Sequence, residues 1–231
     1  MLLLYIGLCL ANGVFAFPYI ALDPAFQRDF ACELEIAVSE NKADAEEQSF
    51  VYQVARSGGL VRVVFSLQEN LRPSAELDLL VDMGLDENII IYDRAKGEIT
   101  YIYPGFKAFV IDKQVKGRKD MMDLGFMVQA GEFDYSKKAK KACERNMTCY
   151  DITIKAKQGS GGWTGMVQES ATPRFPKKGT FRNLRDGSRM RVVFSSVSLA
   201  APKRELFKVP EGFTEYTDTT QLMIAAMESI K

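Results

Sequence analysis

The chain has 231 residues, 47% of them hydrophobic and 26% charged, a globular balance with enough apolar content for one sizeable core. Its 30 basic residues equal its 30 acidic ones, so no bulk field favours nucleic acid. Histidine is absent, which excludes serine–histidine and cysteine–histidine catalysis within the chain and removes the commonest metal ligand.

The first stretch, MLLLYIGLCLANGVFA, is one apolar block that ends in small residues. It reads as a signal peptide over residues 1–16, with cleavage favoured after Ala16 because Val14 and Ala16 suit the small-residue rule. A membrane anchor is the alternative, and the block is slightly short of the roughly 20 residues a spanning helix needs. No lysine or arginine precedes it, so either the true start lies upstream or the signal is atypical.

Asp23-Pro24 is a good N-cap and first-turn pair for a short helix reaching Phe30. Ala31–Ser39 alternates as a first strand, and Glu40–Gln48 is a polar, acidic loop. Ser49–Arg56 and Leu60–Leu67 are strands joined across Ser57-Gly58-Gly59, the second with Val61, Val63, Phe65 and Leu67 on one face. Leu77, Leu80 and Val81 then repeat at helical spacing, with Ser74 as N-cap and Gly84 as the stop.

Residues 89–111 read IIIYDRAKGEITYIYPGFKAFVI, three apolar runs separated by two turns. Gly97 is free to take the positive φ that closes a hairpin bulge. In Pro104-Gly105, Pro pre-sets φ and Gly tolerates a positive φ. The pattern predicts a β-meander. Its apolar residues fall on both parities: Ile99, Tyr101 and Tyr103 point one way and Ile102 the other, while Phe106, Ala108 and Val110 oppose Phe109 and Ile111. A sheet with one wet face alternates more cleanly, so this part is covered on both sides, or covered on one and bound to something on the other.

Residues 116–133, KGRKDMMDLGFMVQAGEF, carry Met121, Met122, Leu124, Phe126, Met127 and Val128 with poor periodicity. Methionine-rich segments adapt to what they cover, so this is a loop capping the sheet or a mobile lid over a cavity. Ser136–Arg145 is strongly basic and reads as a solvated strand edge or helix face, with contact to lipid headgroups or an acidic partner as the alternative. Removal of the signal leaves Cys32, Cys143 and Cys149, an odd count. Cys143 and Cys149 flank the short loop Glu144–Thr148 and are favoured as the disulfide over the pairings that use Cys32. Cys32 alternates with Leu34, Ile36 and Val38, as a core thiol would.

Tyr150, Ile152 and Ile154 mark a strand with one buried face. Trp163, Gly165 and Val167 continue in another after the turn Gln158–Gly162, which opens no helix and so is not a nucleotide loop. Pairing resumes near Thr180–Leu184, and Asp186-Gly187 turns into a long strand over Ser188–Leu199. Leu206–Phe213 is an extended segment with a Pro/Gly turn. Asp218-Thr219-Thr220-Gln221 is a capping box that opens an amphipathic helix bearing Leu222, Met223, Ala226, Met227 and Ile230.

The order YDRAKGEITYIYPGFKAF, TCYDITIK, GWTGMVQESATPRFPKKG, VVFSSV, LFKVPEGF and a C-terminal helix resembles a family of secreted bacterial domain-of-unknown-function proteins. That family is similar to the LolA/LolB and LppX group of periplasmic lipoprotein and lipid carriers. The resemblance covers roughly Phe30 to Ile230 and implies an α+β, mainly β fold. The expected architecture is a curved antiparallel sheet forming a half-open barrel, with short helices and a C-terminal helix covering its concave face. No internal repeat or long low-complexity linker appears, so one domain over residues 17–231 is the economical reading, expected in the periplasm or secreted and as a monomer.

Two function classes follow. The first is a non-enzymatic envelope protein that binds a lipid or an acylated protein in the concavity. Its expected contacts are Tyr101, Tyr103, Phe106, Met122, Phe126, Met127 and Trp163, and no cofactor or metal is called for. The second is an adaptor with a self-filled interior. An enzyme is the weakest reading, because no convergent set of carboxylates, lysine or Cys32 is visible. The export reading predicts a mature chain beginning at Phe17. The intact mass of protein recovered from the envelope checks it, and a chain that keeps residues 1–16 would establish the anchor instead.

Overall fold

The computed structural model describes residues 19–41, 46–113, 132–140, 143, 146–158 and 161–230. The proposed signal at 1–16 and the ligand candidates Met122, Phe126 and Met127 lie outside the described residues. In chain order come α1 (Tyr19–Leu22), a 3-10 turn (Pro24–Gln27), β1 (Phe30–Ser39), β2 (Gln48–Ser57) and β3 (Leu60–Ser66). Next are α2 (Leu67–Asn70), α3 (Ala75–Asp82), β4 (Glu87–Asp93), β5 (Glu98–Tyr103) and β6 (Ala108–Asp112). Then follow β7 (Phe133–Ala139), β8 (Met147–Ala156), β9 (Gly162–Ala171), β10 (Arg174–Asn183) and β11 (Arg189–Ser198). A second 3-10 turn (Arg204–Phe207), β12 (Thr214–Tyr216) and α4 (Thr219–Ser229) end the chain.

Among the described residues the strands hydrogen-bond in the order β12-β6-β5-β4-β3-β2-β1-β11-β10-β9-β8-β7, which does not close on itself. The fold class is the expected α+β, mainly β, with antiparallel ladders, short helices and a C-terminal helix. The chain divides into two compact units. One holds Met1–Arg28, Glu33–Phe50 and Asp120–Leu199, the other Asp29–Cys32, Val51–Lys119 and Ala200–Lys231.

In the first unit, β7 to β11 form an antiparallel ladder whose two faces differ sharply. Ile152, Ile154, Val167, Phe175, Phe181, Met190, Val192 and Phe194 are buried on one face. The start of the chain seals that face. Phe26 packs edge-on against Phe175 and tilted against Phe194, both at 5.2 Å, and Tyr19 lies 5.3 Å from Phe181. The expected helix from Pro24 to Phe30 is instead a single 3-10 turn, Pro24–Gln27, that follows α1. Asp23 does cap it, accepting a hydrogen bond from the Ala25 amide at 2.8 Å. The short, compact entry is what allows both Tyr19 and Phe26 to reach the sheet. The disulfide joins Cys143 to Cys149. Cys32 is buried.

The second unit contains the meander β4–β5–β6, extended by β3 and β2 through antiparallel pairing. One of its faces is covered by the chain's own C-terminal segment. Ala55, Ile91, Ile102 and Phe207 are buried together, with Leu60, Ile89, Phe109, Val209 and Phe213 packed around them. Phe213 then feeds β12, which pairs with β6 in parallel and was not foreseen from the sequence. Three residues give too little periodicity to read. α4 packs on β6 and β12, burying Leu222, Met223 and Ala226, and Asp218 caps it by accepting from the Gln221 amide at 2.9 Å.

Glycine is required for different reasons at the two ends of this unit. Gly97 has φ +67° with nothing near its missing Cβ, as the bulge reading expects. Gly84 ends α3 at φ +68°, and a Cβ there would sit 2.5 Å from the Gly105 carbonyl carbon. The Pro104-Gly105 turn differs from expectation: its left-handed residue is Lys107, with φ 51°. Gly105 is needed for room, since its own Cβ would meet Gly84 Cα at 2.8 Å. Gly84→Ala should therefore combine left-handed strain with a backbone collision and lose roughly 2–4 kcal/mol, whereas Gly97→Ala should lose only about 1 kcal/mol. Urea unfolding of the two variants measures the difference, and equal losses would show that the Gly105 turn yields without cost.

Candidate functional site

The face of the meander opposite the Phe207–Phe213 segment carries Tyr101 and Tyr103, two of the residues singled out for ligand contact. Strand register aligns Val54, Val63, Ile90, Tyr101 and Val110 into one row across β2 to β6. At about 4.8 Å per strand the row is roughly 19 Å long. Val54, Val63 and Val110 are buried, while Ile90 and Tyr101 in its middle are half-buried. On one side the neighbouring row runs through Phe65, Asn88, Tyr103 and Ala108, with the Tyr52 ring stacked on Phe65 at 5.1 Å. Burial raises the Tyr103 hydroxyl's pKa, and a hydrogen bond with Asn88 partly opposes the rise. On the other side lie Val61, Tyr92 and Ile99, with Arg56 and Asp112 at the two ends. The result is an apolar track with polar atoms confined to its margins.

The structure thus brings Tyr101 and Tyr103 together on one face. Phe106 lies in the following turn, half-buried and 6.2 Å from the Tyr216 ring of β12. Trp163 belongs to the other compact unit, buried on β9 opposite Ile154. Ile90 and Tyr92 were missed as members of the track. Their alternation within IIIY was legible, but a run apolar on both parities does not say which face is covered by the chain itself.

A second arrangement, in the first unit, was not anticipated at all. Lys137 was expected to be solvated within the basic run. Instead it shares its strand parity with Phe133 and Tyr135 and turns inward. Its ammonium donates to Asp23 Oδ2 at 2.9 Å and to Glu169 Oε1. The Asp23 and Glu169 side chains are only 1% and 2% exposed, and that of Lys137 is 18% exposed. Tyr135 donates its hydroxyl to Asp23 Oδ2 at 2.6 Å. Arg174 donates to Glu169 Oε2 at 3.3 Å and to the Tyr150 hydroxyl at 2.7 Å. The Lys137 ammonium also stands 4.6 Å from the centre of the Tyr150 ring.

Protonation follows from these contacts. Burial lowers the Lys137 pKa, but the hydrogen bonds and charges of Asp23 and Glu169 outweigh it and the net shift is upward. Burial, then the Asp23 charge, raises the Tyr135 hydroxyl. Burial raises Tyr19 well above its ordinary range as well. A lysine held as ammonium and phenols held neutral are poor bases and nucleophiles near neutrality. What the cluster does is fix the chain's start: it binds the N-cap residue of the 3-10 turn to β7 and β9. Among the described residues, no group of three or more acidic or cysteine side chains could hold a metal ion.

No family model matches the chain, and no curated protein matches it. Among solved structures, an uncharacterized conserved protein from Thermus thermophilus is similar at 10% identity and a TM-score of 0.44, over 85% of this chain and 94% of that one. A LolA superfamily protein from Nitrosomonas europaea is similar at 13% identity and a TM-score of 0.38, over 86% and 97%. A DUF1329 family protein from Desulfovibrio piger is similar at 12% identity and a TM-score of 0.28, over 88% and 96%.

Replacing Lys137 by methionine leaves Asp23 and Glu169 buried with their shared cation gone. The expected loss is about 3–5 kcal/mol, measured by denaturant unfolding at pH 7. The sign with pH is also set. Lys137 has a folded pKa above its ordinary 10.5, so its contribution is complete below that value and disappears as pH rises through the folded pKa. The wild type should therefore lose stability above roughly pH 10.5 more steeply than the Lys137→Met variant. Parallel curves in that range would show that the ammonium contributes nothing.

Proposed function

We propose that the protein is a non-enzymatic cell-envelope protein that holds an acyl chain, from a lipid or an acylated protein, along the track Val54–Val63–Ile90–Tyr101–Val110. One observation carries this reading. The meander has two apolar faces, its own C-terminal segment covers one, and the middle of the other keeps Ile90 and Tyr101 half-buried. Tyr103 and Phe106 flank the contact. An acyl chain laid there would remove the remaining apolar area from water at about 25 cal/mol per Å². Arg56 and Asp112 mark the two ends of the track and Asn88 flanks its middle, so a polar headgroup would find partners along its margins.

The same reading takes residues 1–16 as an export signal, residues 17–231 as one domain, and the periplasm or exterior as the location. Among the described residues, no helix is long and apolar enough to cross a membrane. The non-enzymatic part rests on the absence of histidine and on the protonation of the buried cluster. A second reading, an adaptor without ligand, is favoured by the first unit, whose apolar face is filled by Tyr19 and Phe26 of the same chain.

Native mass spectrometry of protein purified from its own envelope, followed by organic extraction, should show a co-purifying acylated molecule. A fluorescent fatty acid should bind the delipidated protein, and Ile90→Asp with Tyr101→Asp should weaken that binding about tenfold or more. No co-purifying lipid together with no fatty-acid uptake would establish the adaptor.

A further inference from the structure

The outward face of the first unit carries an open groove of about 670 Å³. It lies on the side of β9–β11 opposite the buried aromatic face. Strand register places Thr164, Arg182 and Arg189 side by side across β9, β10 and β11. Thr180 and Arg191 form the adjoining pair. All of these residues line the groove.

The charges in the groove do not cancel. Its acidic members are Glu47 and Asp151. Glu47 accepts from Arg191 at 2.8 Å, and Arg191 also reaches Glu35 at 3.1 Å. Asp151 is paired with Lys140 at 3.5 Å. Arg182 and Arg189 are exposed and make no ion pair with any described residue. Like charges placed directly opposite each other in an antiparallel ladder destabilise it. Two guanidinium groups in one groove offer paired N–H donors and contain no acceptor.

We infer that this groove is a phosphate-binding site, in which the guanidinium groups of Arg182 and Arg189 grip one phosphate group from two sides. Arginine matches a phosphate through paired, charge-assisted hydrogen bonds, and a dianion removes the repulsion between the two cations. The Thr180 hydroxyl supplies a further donor at the floor, and Arg191, already balanced by Glu35 and Glu47, bounds the site. The site is independent of the acyl track, since every residue in it belongs to the first unit.

The phosphate belongs to a free phosphate compound or to a phosphomonoester lipid headgroup, and two probes separate these. Calorimetric titration of the full chain with inorganic phosphate in low-salt buffer reads the first. Sedimentation with vesicles of phosphatidylcholine containing phosphatidic acid, against phosphatidylcholine alone, reads the second. Saturable binding in either arm is expected, weakened about tenfold or more in Arg182→Gln and in Arg189→Gln. Both positions are exposed, so the variants should fold. Their melting temperatures without phosphate should equal or exceed that of the wild type, a result a purely structural arginine would not give. Phosphate should raise the melting temperature of the wild type and not of the variants. No binding in either arm, or binding that is unchanged in both variants, overturns the proposal.

Discussion

Two buried carboxylates sharing one ammonium set the terms for the first unit. Burying Asp23 and Glu169 carries a desolvation cost that a shared cation offsets, and Lys137 is that cation. The geometry couples three distant parts of the chain. Asp23 caps the turn at the chain's start, Lys137 stands on β7 and Glu169 on β9. Once Asp23 is held there, Tyr19 and Phe26 fall among Phe175, Phe181 and Phe194, and the apolar face of the ladder is closed by its own chain. The exposed Arg174 completes the arrangement from outside, binding Glu169 and Tyr150 together. An ion arrangement of this kind specifies a position better than it adds stability, because desolvation offsets much of the attraction.

The second unit solves a different problem. Its meander has apolar side chains on both faces, and one segment, Phe207 to Phe213, covers only one of them. A pair of glycines, Gly84 and Gly105, lets the end of α3 press on the β5–β6 turn at backbone distance. The other face retains a row of aliphatic and aromatic side chains with polar groups at its margins. Within that row Val54, Val63 and Val110 are buried, and the half-buried Ile90 and Tyr101 between them are the physical ground for the acyl-chain reading.

The outward face of the first unit shows how charge pairing and charge surplus can share one surface. Arg191 is balanced by two glutamates, while Arg182 and Arg189 face each other without an acid among the described residues. A cross-strand pair of like charges works against the ladder that holds it. Its presence makes sense where a ligand supplies the missing charge.

Alternation and turn chemistry in the sequence determined most of the secondary structure. Strands at Phe30–Ser39, Leu60–Ser66 and Met147–Ala156, the meander, the caps Asp23, Ser74 and Asp218, and the bulge glycine Gly97 all follow from local rules that act within a few residues. The Cys143–Cys149 disulfide was legible for the same reason, being six residues apart in sequence. Tertiary structure alone decided what depends on residues far apart. Lys137 looked like one more solvated lysine in a basic run, and only contact with Asp23, 114 positions away, made it a buried partner. β12 was invisible because a three-residue parallel strand exists only where β6 receives it. Gly105 was assigned a turn role, while its need for empty space comes from Gly84 across the fold. Local propensity places strands and turns; which charge is buried, which face is covered and which cations stay unpaired are set by neighbours the sequence does not order.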